Sequence, residues 1–263
     1  METTFQYIRL GPVFFIFSIP AAMGIGWLIG AYRTNKAGEA GVVVRESLVG
    51  AIFGLSALVL GFTFSNASNY YDDFLKGMRI QASAIKELHT STKYLQPSDQ
   101  AAIKKSLAEL LDFRLTAYQN IRDRADLDVV LNNMAAQVRQ INEDMTKALV
   151  KAPIENQPII ANFVISQMRT LSDTFSASGA HARAHPPVLL MRFFYLLLCV
   201  GSLVIGYTMA VKRENDWFLS LLYIVLLGCG FYIIFSLEFP NVLMPYEDTN
   251  RDLLVLKDWL RTH

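Results

Sequence analysis

Between Ser47 and Phe64 the chain reads SLVGAIFGLSALVLGFTF, with no charge, and runs into SNASNYYDDFLKGMRIQASAI without a proline. About 18 uncharged residues at ~1.5 Å each reach ~27 Å, close to the ~30 Å hydrocarbon core of a bilayer. The pattern therefore predicts a membrane helix that leaves the lipid near Ser65 and continues, still helical, into water to about Tyr94. Three other apolar runs have similar length. Pro12 to Tyr32 is kinked by Pro20 and carries Trp27 and Tyr32 where an interfacial aromatic belt is expected; its length and the lack of a basic leader mark a retained span rather than a signal peptide. A third span starts at Pro187 and closes at Lys212 and Arg213, and a fourth runs from Trp217 to Leu237, before Pro240 and Pro245.

Asn66 to Pro186 is polar and reads as helix throughout, with no strand alternation. LQPSDQ supplies a turn at Pro97 and an N-cap at Ser98. Ile103, Leu107, Leu110, Ala117 and Ile121 then recur at helical spacing until RDRAD. Leu127, Leu131, Met134, Val138, Ile141, Met145 and Leu149 alternate four- and three-residue steps, a coiled-coil seam. Past Pro153 and Pro158, Phe163, Met168, Leu171 and Phe175 mark another amphipathic helix from Ile159 to Ser176. GAHARAHPP is a linker. The tail NRDLLVLKDWLRTH, from Asn250 to His263, is a short amphipathic helix suited to the membrane surface or to the polar domain.

The expected fold class is all-α: a multi-pass membrane protein with four transmembrane helices and a helical extramembrane region whose helices extend from spans two and three. Its parts are a first transmembrane hairpin (1–65), a partly coiled-coil extramembrane domain (66–186), a second hairpin (187–240) and the amphipathic tail (241–263).

The second span has two distinct faces. At ~100° per residue, Gly50, Gly54, Ala57, Gly61 and Ser65 fall on one side as a small-residue ridge that lets backbones approach. Ser56, Thr63, Asn66, Tyr70 and Asp73 fall on another, a polar stripe that turns acidic as the helix exits. Polar groups at membrane depth face protein or water. One reading of the stripe is plain packing, with hydroxyls bonding back to their own helix carbonyls. The other makes it, with Asn69 and with Phe53 or Phe62 at its margins, the lining of an axial pore built from several copies of the helix, since hydrophobic constrictions flanked by polar rings gate and select ions.

Composition narrows the function classes. The chain has 263 residues, of which 52% are hydrophobic, too apolar for an ordinary soluble domain. A net charge of +1 with dispersed basic residues gives no call for nucleic acid. Cys199 and Cys229 lie inside apolar runs and predict neither a disulfide nor a zinc site. His181 and His185 have metal-like spacing but stand beside Pro186 and Pro187 with no carboxylate or thiol nearby, so no metal is expected. No nucleophile–base pair, phosphate loop or cofactor motif appears, so neither catalysis nor a cofactor is expected. Arg192, inside the third span, and Glu238, at the end of the fourth, come to similar depth if these spans are antiparallel, as do Cys199 and Cys229; the charges either pair or anchor at the interface, and an inward Arg192 would attract anions. Arg33, Lys36, Arg45, Lys212 and Arg213 in the short connections would send the polar region outside, but Arg9, Lys76, Arg79, Arg183, Arg251 and Lys257 lie at the opposite ends and leave orientation open.

GLSALVLGFTFSNASNYYDD, then QASAI, then KYLQPSDQAAIKKSLAELLDFRL resembles the bestrophin-like domain family of bacterial membrane proteins, whose second span ends in a GFTFS-like phrase, a YD pair, an EANAI-like segment and a YL...LP turn. SLEFP stands where that family has a DLDRP-like phrase. The likeness covers residues 46 to 115 well and 180 to 242 loosely. Ile80 and Gln81 stand where the family often has carboxylates, Ser236 replaces an aspartate and Phe239 an arginine. The resemblance implies the architecture of bestrophins, pentameric anion channels with four spans per subunit and a helical cytosolic extension: a homo-oligomer in the bacterial cell (inner) membrane, with the second span lining an axis. It also pulls orientation toward a cytoplasmic polar domain. The expected function is an oligomeric, anion-conducting channel in contact with membrane lipid and a permeant inorganic ion. The alternative is a non-conducting membrane scaffold or sensor acting through the helical extramembrane domain.

Overall fold

A computed structural model describes residues 5–37, 44–119, 121, 124–183, 188–213 and 217–262. The linkers expected around 38–43, 184–187 and 214–216, and His185, lie outside them. All regular structure among the described residues is helical: α1 (Phe5–Ala37), α2 (Glu46–Ser91), α3 (Pro97–Thr116), α4 (Arg124–Val150), the short α5 (Gln157–Ile159), α6 (Ile165–Arg183), α7 (Val188–Lys212), α8 (Trp217–Glu238), the short α9 (Pro240–Leu243) and α10 (Tyr246–Thr249), and α11 (Arg251–Thr262). Among the described residues three helices are long and apolar enough to cross a membrane, Glu46–Tyr94, Arg192–Lys212 and Trp217–Glu238, where four were expected. The run from Pro12 to Tyr32 is helical within α1 but is not among the three, and part of its side-chain surface lies outside the described residues.

Two compact units divide the chain, one of Tyr7–Tyr70 with His185–Phe239, the other of Met1–Gln6, Tyr71–Ala184 and Pro240–His263. Helix α2 is 46 residues long and belongs to both. No proline interrupts it, and the hydroxyls of Ser56, Thr63 and Ser91 bond back to carbonyls one turn earlier.

The apolar unit has an aromatic core. Phe15 stacks on Phe231 with ring centroids 4.3 Å apart, and Phe194 and Phe235 flank that pair at 6.1 and 5.7 Å from Phe231. Ile19, Ala67, Leu198 and Ile234 complete the cluster. Helices α1 and α7 touch backbone to backbone: a Cβ on Gly26 would overlap the Leu203 carbonyl, one on Gly206 would overlap the Met23 carbonyl, and one on Gly30 would lie 2.8 Å from the Tyr207 carbonyl oxygen. Only glycine permits that approach. At the end of α7, Lys212 reaches Glu46 at the start of α2, 2.9 Å away.

The helical unit buries every residue of the α4 seam, from Leu127 to Leu149. Helix α4 packs on α3 and α6. The start of α3 differs from expectation: Gln96, not Ser98, is the N-cap, and Pro97 opens the helix. A proline is favoured there because its fixed φ suits the first turn and its missing N–H has no partner to lose. Phe163 is exposed rather than in the core. It lies in a π-helical turn, Ile160–Val164, whose extra residue rotates the preceding stripe away from Leu171 and Phe175, which are buried.

The tail settles against the helical unit. Leu253 and Leu256 enter its core, Trp259 packs edge-on to His89 with Lys86 over its ring at 4.9 Å, and Lys257 meets Asp112 at 2.7 Å. Truncating Leu253 to alanine is expected to cost about 2–5 kcal/mol, because the cavity cannot collapse. Lys257→Ala is expected to cost under about 1 kcal/mol, since that pair is partly exposed. Thermal unfolding of the purified variants checks both.

Candidate functional site

The apolar unit fixes how α2 is rotated about its axis. Phe53, Ser56, Leu60, Thr63 and Ala67, spaced three and four residues apart, turn toward α7 and α8. Phe53 meets Tyr223 edge-to-face at 5.6 Å, and its ring edge would touch a Cβ placed on Gly201. Leu60 lies beside Gly230. Ser56 and Thr63 are 6% and 4% exposed, and their hydroxyls donate to the carbonyls of Ile52 at 2.8 Å and Val59 at 2.7 Å. Each polar side chain on this inner face is therefore satisfied by its own helix.

The opposite face is unpartnered within the protomer. Gly50, Gly54, Ala57, Gly61 and Ser65 are all exposed, and a Cβ on Gly50, Gly54 or Gly61 would meet nothing within 4 Å. Leu58 and Phe62, one turn apart on the flank of this ridge, are 56% and 67% exposed. Asn66 and Asn69 follow, also exposed, and Tyr70 is half-buried. In the helical unit Asp73 is exposed and paired with Lys76 at 3.2 Å, and Asp72 is exposed.

The sequence-predicted set is thus divided. Phe53, Ser56 and Thr63 gather on the packed face; Phe62, Asn66 and Asn69 are together on the exposed side with the small-residue ridge. Leu58 joins them and was missed, although it stands one turn before Phe62. Arg192 is exposed and Glu238 is 4% exposed, and no ion pair joins them among the described residues. The intimate glycine packing was also missed on α1, where Gly26 and Gly30 stand four apart in GWLIG, the small-xxx-small signal.

The exposed surfaces of α2 and α8 differ in kind. Helix α8 presents Phe218, Leu221, Leu222, Val225 and Leu226, bulky apolar groups suited to lipid tails. Helix α2 presents a strip of glycine, alanine and serine, with Leu48, Leu55, Leu58, Phe62 and Phe64 exposed around it. Small residues gain little from lipid and allow close contact with other helices or with a water-filled lumen.

No protein-family profile and no curated protein matches the chain. Two solved structures do, both of point mutants of a bacterial bestrophin homolog from Klebsiella pneumoniae. One matches at 12% identity and TM-score 0.61, over 92% of this chain and 98% of that one. The other matches at 13% identity and TM-score 0.60, over 93% and 99%. Across nearly its whole length, then, the chain is similar in fold to a bacterial bestrophin homolog.

Proposed function

We propose that the protein is an ion channel of the bacterial inner membrane, a multi-pass homo-oligomer in which copies of α2 surround a common axis with the Gly50–Ser65 ridge and its flank inward. The single observation that carries this reading is the exposed ridge itself: a membrane-length helix with an unbroken strip of small residues facing outward, while the hydroxyls of Ser56 and Thr63 are turned into the protomer. In this arrangement Leu58 and Phe62 form apolar rings, the constriction at which water and ions are held back or admitted. Ser65, Asn66 and Asn69 follow with hydroxyl and amide groups that replace part of an ion's hydration. Phe53, Ser56 and Thr63 support the helix from behind, so the polar residues expected to touch the ion divide into those at the lumen and those that brace it.

The similarity in fold to a bestrophin homolog supports the oligomer. Anion preference is carried over from the sequence resemblance, and the exposed Asp72 carboxylate works against it, because acidic rings draw cations. The reversal potential across a chloride gradient decides between them.

Purified protein in planar bilayers tests the proposal. Reproducible unitary currents are expected from particles whose images show a central hole. Intact oligomers that stay silent under all conditions would instead favour a scaffold acting through the helical unit.

A further inference from the structure

In the core of the helical unit Arg114 is 1% exposed. Its Nε donates to Gln81 Oε1 at 3.3 Å, Nη2 meets Met78 Sδ at 3.0 Å, and the guanidinium carbon lies 4.5 Å from the centre of the Tyr118 ring. A guanidinium keeps its charge in proteins, and enclosure works against that charge, pulling the group below its ordinary pKa, with Tyr118 and Tyr246 opposing. Buried cations are ordinarily neutralised by a carboxylate. Among the described residues no carboxylate forms an ion pair with Arg114.

Two donors at this place also have nothing to bond: Arg114 Nη1 and Gln81 Nε2 are both buried without an acceptor. They belong to side chains already joined through Gln81 Oε1, one on α2 and one on α3. An orphaned buried donor costs about 1–3 kcal/mol, more for a charged group. A negatively charged acceptor at this place would supply a missing bond and cancel the charge.

We propose that Arg114 and Gln81 form a binding site for a small monovalent anion of the halide class, which ties α2 to α3. The anion is small because both donors are enclosed, and monovalent because one positive charge is to be matched. Met78 is the wall that yields: its unbranched thioether side chain can repack to make room, and its sulfur is a weak acceptor that an anion replaces to advantage. The site stands apart from the conduction reading, since it lies within the helical unit and requires no pore.

The test is thermal unfolding of the full-length protein in detergent at constant ionic strength, with chloride or bromide exchanged for gluconate. A saturable rise in melting temperature is expected, about 3 °C at tenfold over the dissociation constant. Gln81→Glu supplies an internal carboxylate to Arg114, so this variant should melt higher than the parent protein in gluconate and lose the chloride response. Arg114→Met should also lose the response, and the glutamate variant keeps the test decisive if the methionine variant does not fold. Equal melting of the parent protein in chloride and gluconate, or an undiminished chloride response in Gln81→Glu, would overturn the assignment; the second result would place any anion effect elsewhere in the molecule.

Discussion

Replacing Phe62 with alanine is expected to raise unitary conductance severalfold and to lengthen open times, and Leu58→Ala to act in the same direction. Both side chains stand off the exposed face of α2 one turn apart. Rings of such groups around a narrow lumen expel water, and removing them widens and wets the passage. Ser56→Ala and Thr63→Ala serve as the contrast. Each hydroxyl there bonds only to its own helix, so its loss is worth about 1 kcal/mol of stability and leaves conductance little changed. Planar-bilayer recordings on the same preparations separate the two sets. If instead the serine and threonine variants alter conductance while Phe62→Ala does not, the rotation of α2 assigned here is wrong.

Gly206→Leu and Gly26→Leu are expected to abolish a stable apolar unit. The added side chain at either position meets a backbone carbonyl of the opposing helix, Met23 or Leu203, and a backbone carbonyl cannot swing away as a flexible side chain can. Overpacking typically costs about 1–3 kcal/mol, and the cost rises when the obstacle is main chain. Gel filtration in detergent should show the monodisperse peak lost for both variants. Gly54→Ala and Gly61→Ala provide the counterpart, because a Cβ there meets nothing within the protomer. These should fold normally, and any effect should fall on assembly or conductance. The distinction matters because sequence alone gives both sets of glycines the same appearance.

What the sequence made legible follows from the range over which each interaction acts. The α4 seam was readable because its spacing records burial against neighbours on both sides, and every member from Leu127 to Leu149 is buried. The uncharged stretch from Ser47 and the apolar runs behind α7 and α8 were readable because membrane length is a property of one helix. The rotation of α2 was not. Ser56 and Thr63 look identical in sequence whether they meet water or their own carbonyls, and only the aromatic packing of Phe53 on Tyr223 fixes which side they take. Phe163 escaped for a similar reason: the π-helical turn that displaces it has no periodic signature. The α3 cap at Gln96 lies two residues before Ser98, where the sequence points, since serine and aspartate are the better caps.

Arg114 illustrates the opposite case. Its stretch, LLDFRL, reads as an ordinary amphipathic helix, and nothing local marks the arginine as buried. The clue lay far off in the chain, at Gln81, where the resembling family often has a carboxylate.

Thiol accessibility along α2 tests the central claim most directly. With Cys199 and Cys229 replaced by serine, single cysteines at Gly54, Leu58, Gly61 and Ser65 and at Ser56, Leu60 and Thr63 can be exposed to a charged methanethiosulfonate during bilayer recording. The account predicts that the first group is modified and its current blocked, while the second group is untouched. Block confined to positions 56, 60 and 63, or no block at any position in a conducting channel, would contradict it.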